Sequence, residues 1–399
     1  MTAHITGFDV ITPLGLSRDE HWEACLDGKT ALASPTLFDS STYDAPLAGE
    51  VFGYQPTDLE SRLIPSTDRM TQMSLSCAAR AIEDADLDLA SPELREVTGV
   101  LTAATAGGHA FGQKELQNLS SLGPKHVSGY QSYAWFYAVN SGQISIRHGL
   151  RGHSGVVVAD GAGAIDAVAA SIRRLSRGND HMVTGAVDST MCPWGWVAHT
   201  STNEVSAVDD AEAAYLPFDA RSSGYVPGEG GAHFVISRED PNGRSHGRVI
   251  GYGARLASSD RSNPTALIVA AIKSALEQAQ LTPGDVDVVY ADASGVSVQD
   301  LHESSALANI FGDHSVPVTA PKSGTGRLGC GGSAVDLANA LLGFRDQVIP
   351  PTPNVELDPR HAINLVTRTQ KAMLRTALVL ARGRGGFNSA VLITSNPEK

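Results

Sequence analysis

Two stretches of the chain, 155–170 and 317–340, run through the same succession of pieces. GVVVADGAGAIDAVAA and PVTAPKSGTGRLGCGGSAVDLANA each read as an apolar strand, a glycine-rich turn and an alanine-rich helix. Ala164-Ile165-Asp166 aligns with Ala334-Val335-Asp336, which sets Gly161 opposite Gly331. A repeat of this size implies two similar α/β halves rather than a solenoid, whose units are much shorter. Duplication about a pseudo-twofold axis would bury both inner helices between sheets. Close packing there needs small side chains, and the 40 glycines and 6% aromatic content suit it.

The remaining segments fill out the two halves. HITGFDVITPLG reads as a strand and a Gly/Pro turn, followed by a short helix with Ser17 as N-cap and Glu20 completing a capping box. A long helix over about 67–85 places Met70, Met73, Cys77 and Ala78 on one apolar face. Strands are expected near 97–108, 181–190, 249–252, 286–291 and in the closing TALVLARG and FNSAVLIT. A helix is expected over 264–280, with Ile268, Ile272, Ala275 and Ala279 inward. The polar, Pro/Gly-containing EDPNGRSHGR at 239–248 reads as a linker between an N-terminal half, 1–238, and a C-terminal half, 249–399.

Charge and cysteine content narrow the function classes. A net charge of −13 argues against nucleic acid, which needs a basic face. It also means that an acidic partner must find a local basic patch or one on another subunit. The basic residues Arg173, Arg174 and Arg177 complement a helix C-terminus. No apolar run is long enough to span a bilayer, and the start lacks a signal-peptide pattern. Cys25, Cys77, Cys192 and Cys330 are widely spaced and form no metal or disulfide motif. A cytoplasmic protein without membrane contact, metal or cofactor is the expectation.

ITPLG at 11–15, PFDARSSGYVPGEGG at 217–231 and PKSGTGRLGCGG at 321–332 resemble β-ketoacyl synthases of the thiolase fold, along nearly the whole chain. YAWFYAVNSGQISIRHGLRG at 133–152, CPWGW at 192–196 and LARGRGGFNSAV at 380–391 resemble more narrowly the chain length factor, the β subunit of type II polyketide ketosynthases. The resemblance implies duplicated α/β halves in a five-layered α-β-α-β-α arrangement. It also implies two partners: an active ketosynthase subunit in a heterodimer, and an acyl carrier protein.

In active members of the resembled family a cysteine at a strand-to-helix turn is acylated, and two histidines assist decarboxylation. Here the cysteine position holds Gly161, the first histidine position Asp292 and the second Arg327, while Lys322 is retained. The gate phenylalanine is replaced by Arg384, and Asn388 is kept. Glycine cannot be acylated, and Asp292 is expected to repel a developing oxyanion. Removing the nucleophile of a hydrolase triad costs on the order of 10^6 in rate, so no useful covalent chemistry is expected. Chain length factors usually carry glutamine at position 161. Gly161 supplies no amide, which implies that this subunit takes no part in priming by decarboxylation.

By the same resemblance His109, Gly112, Leu116 and Tyr133 are expected to line the tunnel for the growing chain. Gly112 would open room and Leu116 and Tyr133 would narrow the far end. The aromatic run Trp135, Phe136 and Tyr137, with Trp194 and Trp196, reads as core or subunit interface. The expected function is therefore a non-catalytic, chain-length-setting subunit. Two alternatives stand beside it. One is an active condensing enzyme or acyltransferase using Cys330 as nucleophile, although its glycine-rich turn reads better as a site for a buried structural thiol. The other is a homodimeric acyl-binding scaffold.

Overall fold

The computed structural model describes residues 2–240, 243–257 and 263–396. Pro241 and Asn242, inside the expected linker, lie outside the described residues. The first half contributes strands β1 (Ala3–Ile11), β2 (Thr98–Ala103), β3 (Ser154–Val157), β4 (His181–Asp188) and β5 (Gly230–Ser237). The second contributes β6 (Gly247–Leu256), β7 (Val288–Tyr290), β8 (Pro317–Thr319), β9 (Asn364–Leu365), β10 (Thr376–Gly383) and β11 (Phe387–Thr394). The principal helices are α1 (Arg18–Leu26), α2 (Arg69–Asp84), α3 (His109–Leu122), α4 (Val139–His148), α5 (Gly163–Leu175), α6 (Pro193–Thr200), α7 (Pro264–Ala279), α8 (Ser297–Phe311) and α9 (Gly331–Asp346).

The duplication is visible in the strand order. The first half runs β3-β2-β4-β5-β1 and the second β8-β7-β10-β11-β6, with β9 added outside β8. Set β9 aside, and each half places its third, second, fourth, fifth and first strands side by side. The first three of these are parallel and the last two antiparallel in both halves. The halves meet where β1 pairs antiparallel with β6, His4 opposite Arg248.

The two echoing helices, α5 and α9, pack against each other in the middle layer. Helix α5 touches β4 and β2 of its own half and β11 of the other, while α9 touches β5 and β4 as well as β10 and β7. Their Ala164, Ile165, Val168, Ala334, Leu337 and Ala338 join strand residues of both halves in one apolar core. Small residues set the approach: a Cβ on Gly331 would stand 2.1 Å from the Gly230 carbonyl oxygen. Helices α2 and α4 cover the outer face of the first half, α7 and α8 that of the second. The layers are therefore α-β-α-β-α.

Local sequence explains the element ends. Asp68 caps α2 by accepting the Met70 N–H at 2.9 Å, and Asn263 caps α7 by accepting the Ala266 N–H at 2.9 Å. Met70, Met73, Cys77 and Ala78 are all buried on α2. On α7, Ile268, Ile272 and Ala275 are buried, while Ala279, the last residue of the helix, is only half-buried. Burying a Met or Ile side chain is worth roughly 1.5–3 kcal/mol, so each such stripe holds its helix to the sheet. The capping box at Ser17 is only half formed. The Ser17 hydroxyl accepts the Glu20 N–H at 3.4 Å, but the Glu20 carboxylate takes the N–H of Leu16 instead of that of Ser17.

Candidate functional site

Asp160 and Gly161 form the turn that delivers the chain from β3 to α5. Asp160 holds φ 46, a left-handed conformation that costs a residue with a Cβ of order 1 kcal/mol. The turn is pinned because the Asp160 carboxylate accepts the Arg384 N–H at 2.7 Å, and Gly161 O accepts the Ser333 hydroxyl at 2.7 Å. The N-terminus of α5 still points at this turn, but the residue there has no side chain for its partial positive charge to act on.

Beside Gly161 lies a closed ion network. Asp292 leaves β7 on a short loop. Its carboxylate accepts two N–H groups of the Arg327 guanidinium at 3.2 Å each, and Nε of Arg382 at 3.2 Å. The Arg382 main-chain N–H adds a fourth bond at 2.9 Å. Arg382 then reaches Glu303 on α8 at 3.3 Å, and Glu303 accepts the N–H groups of Asp292 and Ala293. Two arginines and two carboxylates thus neutralise one another along the cavity wall. Burial opposes the charge on Asp292, but Arg327 and Arg382, with Lys322, outweigh it and hold its carboxyl well below the usual range. Burial pushes Glu303 up, with Arg382 acting against it.

This corrects the expectation for Asp292. It is not a bare anion facing the site, because Arg327, at the second histidine position, and Arg382 have taken up its charge. Lys322 stands apart, paired with Asp336 on α9 at 2.5 Å. Burial raises Asp336 to about 6 against the pull of that lysine. Arg382 and Glu303 were not singled out from the sequence. Arg382 sits inside the LARGRGG motif and was within reach of that reading, whereas nothing local marks Glu303.

A cavity of about 900 Å³ passes over Gly161. Its walls include His109, Asp292, Arg327, Arg384 and Asn388. The hairpin turn between β10 and β11 closes one side. There Arg384 donates to the Tyr225 hydroxyl at 2.6 Å and to Glu204 at 3.3 Å, and Asn388 ties the turn by donating to Gly386 O at 2.8 Å. Of the four expected tunnel residues only His109 borders this cavity, its ring stacked on Trp194 at 5.1 Å. The room expected over Gly112 is taken up: a Cβ there would meet Trp194 at 3.3 Å and Trp135 at 3.4 Å. Leu116 is exposed on α3, and Tyr133 packs edge-on against Tyr130.

Cys330 is fully buried at the N-cap of α9 and donates its thiol hydrogen to Asp188 at 3.1 Å. Burial, reinforced by Asp188, pushes that thiol well above its ordinary value. A thiol held protonated beside a carboxylate is a poor nucleophile, so the reading of Cys330 as catalytic is not favoured.

The two halves thus build one duplicated α/β fold, and its inner strand-to-helix turn carries Gly161 beside a mutually paired ion network. The same fold occurs in a beta-ketoacyl synthase from Burkholderia phymatum, with a TM-score of 0.90 and 20% identity over 98% of this chain and 99% of that one. It also occurs in the ishigamide ketosynthase/chain length factor, with a TM-score of 0.89 and 23% identity over 99% of each chain. Residues 3–242 match the beta-ketoacyl synthase N-terminal domain, and residues 246–356 match its C-terminal domain. The tetracenomycin polyketide synthase ketoacyl synthase beta subunit of Streptomyces glaucescens is 46% identical over 400 residues, covering 98% of this chain and 97% of that protein. The chain belongs to the beta-ketoacyl synthase family, in its polyketide synthase beta-subunit branch.

Proposed function

We propose that this chain is the non-catalytic subunit of a polyketide ketosynthase heterodimer, completing the tunnel for the growing chain and setting its length. The condensations, decarboxylative and fed by malonyl units on an acyl carrier protein, are carried out by the partner. The observation that carries this reading is the Arg327–Asp292–Arg382–Glu303 network beside Gly161. Each charge of that network is paired with another member of it. In this reading Gly161, Asp292, Arg327 and Lys322 mark the relinquished centre. His109 borders the tunnel, Gly112, Leu116 and Tyr133 lie on the flank that the partner covers, and Arg384 and Asn388 hold the gate-like turn. The halves drawn from the sequence, 1–238 and 249–399, are the units that were duplicated, with the linker 239–248 giving up its last two residues, Gly247 and Arg248, to β6.

Two surface features favour a partner of the same fold. Trp135, Phe136, Tyr137 and Trp194 are exposed, next to Leu116 and Leu119 on α3. Large aromatic groups in an exposed patch mark an interaction surface. Strand β3 pairs only with β2, and its other edge is open among the described residues. The relative from Streptomyces glaucescens is itself named a beta subunit. The four cysteines are buried and unpaired, and no described helix is long and apolar enough to cross a membrane. The unpaired cysteines support residence in a reducing cytoplasm.

The test is reconstitution with the neighbouring active ketosynthase and malonyl-loaded carrier protein. Condensation is expected from the pair and none from this chain alone, with the two copurifying. Condensation or acylation at Cys330 by the chain alone would restore the active-enzyme reading. Failure to copurify would favour the homodimeric scaffold.

A further inference from the structure

We propose that Gln113 is a specificity-determining positioning residue: from α3 it caps the start of α6, holds Trp194 against His109 and so stiffens the wall that limits the growing chain. The proposal rests on the tunnel reading above and names a residue that fixes that wall without touching the chain.

Helix α6 begins with donors that it cannot use itself, since the first four N–H groups of a helix find no partner within it. Pro193, at its first position, has no N–H to leave unpaired, and Cys192 Sγ accepts that of Gly195 at 3.4 Å. The N–H of Trp194, between them, goes to another helix: Gln113 Oε1 on α3 accepts it at 2.7 Å. Helix α3 is held in the same manner. Its own N-cap is Gly108, which has no side chain to offer. The Asp68 carboxylate, already the cap of α2, accepts the Phe111 N–H at 2.8 Å instead. Three helix starts are thus joined in series, α2 to α3 through Asp68 and α3 to α6 through Gln113. Asp68 is buried, so the series is anchored in the interior.

What the last link presents is the Trp194 indole. It stacks on the His109 ring, with centroids 5.1 Å apart and planes 18° from parallel. It also lies over Gly112, where a Cβ would meet it at 3.3 Å. His109 borders the cavity, whereas Gln113 is not among the residues that line it. Trp194 is 42% exposed, so packing does not enclose the indole, and the main-chain bond to Gln113 fixes where α6 places it. A wall limits a chain by bulk only while its side chains cannot give way. Without the Gln113 acceptor the Trp194 N–H turns to water, the first turn of α6 is free to rock away from α3, and His109 loses the ring on which it lies. Longer chains then fit.

The experiment uses the heterodimer of this chain with its active ketosynthase, fed malonyl-loaded carrier protein, and reads the lengths of the chains made by mass spectrometry. Gln113→Met keeps the bulk and loses the carbonyl acceptor, while Gln113→Glu keeps an oxygen within reach of the Trp194 N–H. With Gln113→Met the share of chains longer than the native product should rise roughly fivefold, the order of effect of losing one helix cap, while total malonyl consumption stays within about twofold. Gln113→Glu should give the native lengths. A merely structural residue would lower the yield of every length alike. His109→Ala, which removes the wall group itself, is the control. Native lengths from Gln113→Met, with lengths altered by His109→Ala, would overturn this proposal alone. Native lengths from both would overturn the tunnel reading with it. If Gln113→Met does not pair with the ketosynthase, acrylamide quenching of the lone chain decides. Trp194 emission, obtained by difference from the matching Trp194→Phe chain, should be quenched more strongly in Gln113→Met than in Gln113→Glu, and equal quenching would overturn the proposal.

Discussion

An ideal Cβ on Gly161 stands 2.4 Å from the Arg382 carbonyl oxygen and 3.4 Å from Nη2 of Arg327. The position is therefore filled from outside rather than vacated. The same arginine that closes the ion network brings its own carbonyl against the turn. Overpacking of this kind costs roughly 1–3 kcal/mol, because backbone cannot swing aside as a side chain can. Gly161→Ala should lower the unfolding free energy read by urea titration by that amount, and an unchanged midpoint would show that the β10–β11 turn yields freely. Gly161→Gln should bring the same loss without any decarboxylation of malonyl-carrier protein. The replaced positions Gly161, Asp292 and Arg327 stand in the sequence. Their meaning does not, because Arg382 and Glu303 reach Asp292 from elsewhere in the chain, Arg382 from 90 residues away. A carboxylate looks like a repelling charge until its two cations are in place.

At the level of elements, the repeated strand–turn–helix was the clearest signal. It foresaw α5 and α9 as the paired inner helices, since alanine and glycine runs are what two buried helices in contact require. The recurrence of one strand order in both halves was not readable, because it depends on long-range pairing and on crossovers that no local pattern encodes. The half-formed capping box shows the same limit on a smaller scale: spacing put Glu20 near the helix start, and chain direction gave its carboxylate a nearer donor at Leu16. Helix α3 is the element whose role can be tried separately. Gly112 faces Trp135 and Trp194, while Leu116 and Leu119, four and seven residues on, continue that face toward solvent. Leu119 is 44% exposed, so Leu119→Glu should change the chain's own stability by no more than about 1 kcal/mol. A charge in the core of the apolar patch should nevertheless weaken pairing with the ketosynthase by at least about tenfold, a hot-spot-sized effect. Size-exclusion chromatography of the co-expressed pair, with urea titration of the lone chain, reads both. An intact complex would place the interface elsewhere.

For the molecule as a whole, the many ionisable groups enclosed between layers set opposing demands on pH. Burial raises Asp68, Asp300 and Asp336 to about 6. In the unfolded chain such acids ionise near 3.8, so between roughly pH 4 and 6 the fold holds more of their protons, and their contribution to stability declines as pH rises. Burial lowers His21, His148, His199 and His233 to about 4, against 6.5 when unfolded. Over nearly the same window the unfolded chain binds more of their protons, so their contribution grows as pH rises. Four histidines shifted about as far as three carboxyls leave a modest net gain from about pH 4 to 7. Below that window a second group takes over. Asp84 and Asp292 are held well below the usual carboxylate range despite burial, Asp84 by His246 and Arg18, Asp292 by Arg327 and Arg382. The stability they lend is present above about pH 4 and drains away as acid protonates them. Urea midpoints measured across this range should therefore rise gently from about pH 4 to 7 and fall steeply below 4. His148, whose Nε2 has no partner among the described residues, is the least embedded of the four. Replacing it by glutamine should flatten the gentle limb and leave the acid limb unchanged. A limb that instead descended toward neutrality would mean that the buried carboxyls, and not the histidines, govern how this fold answers to pH.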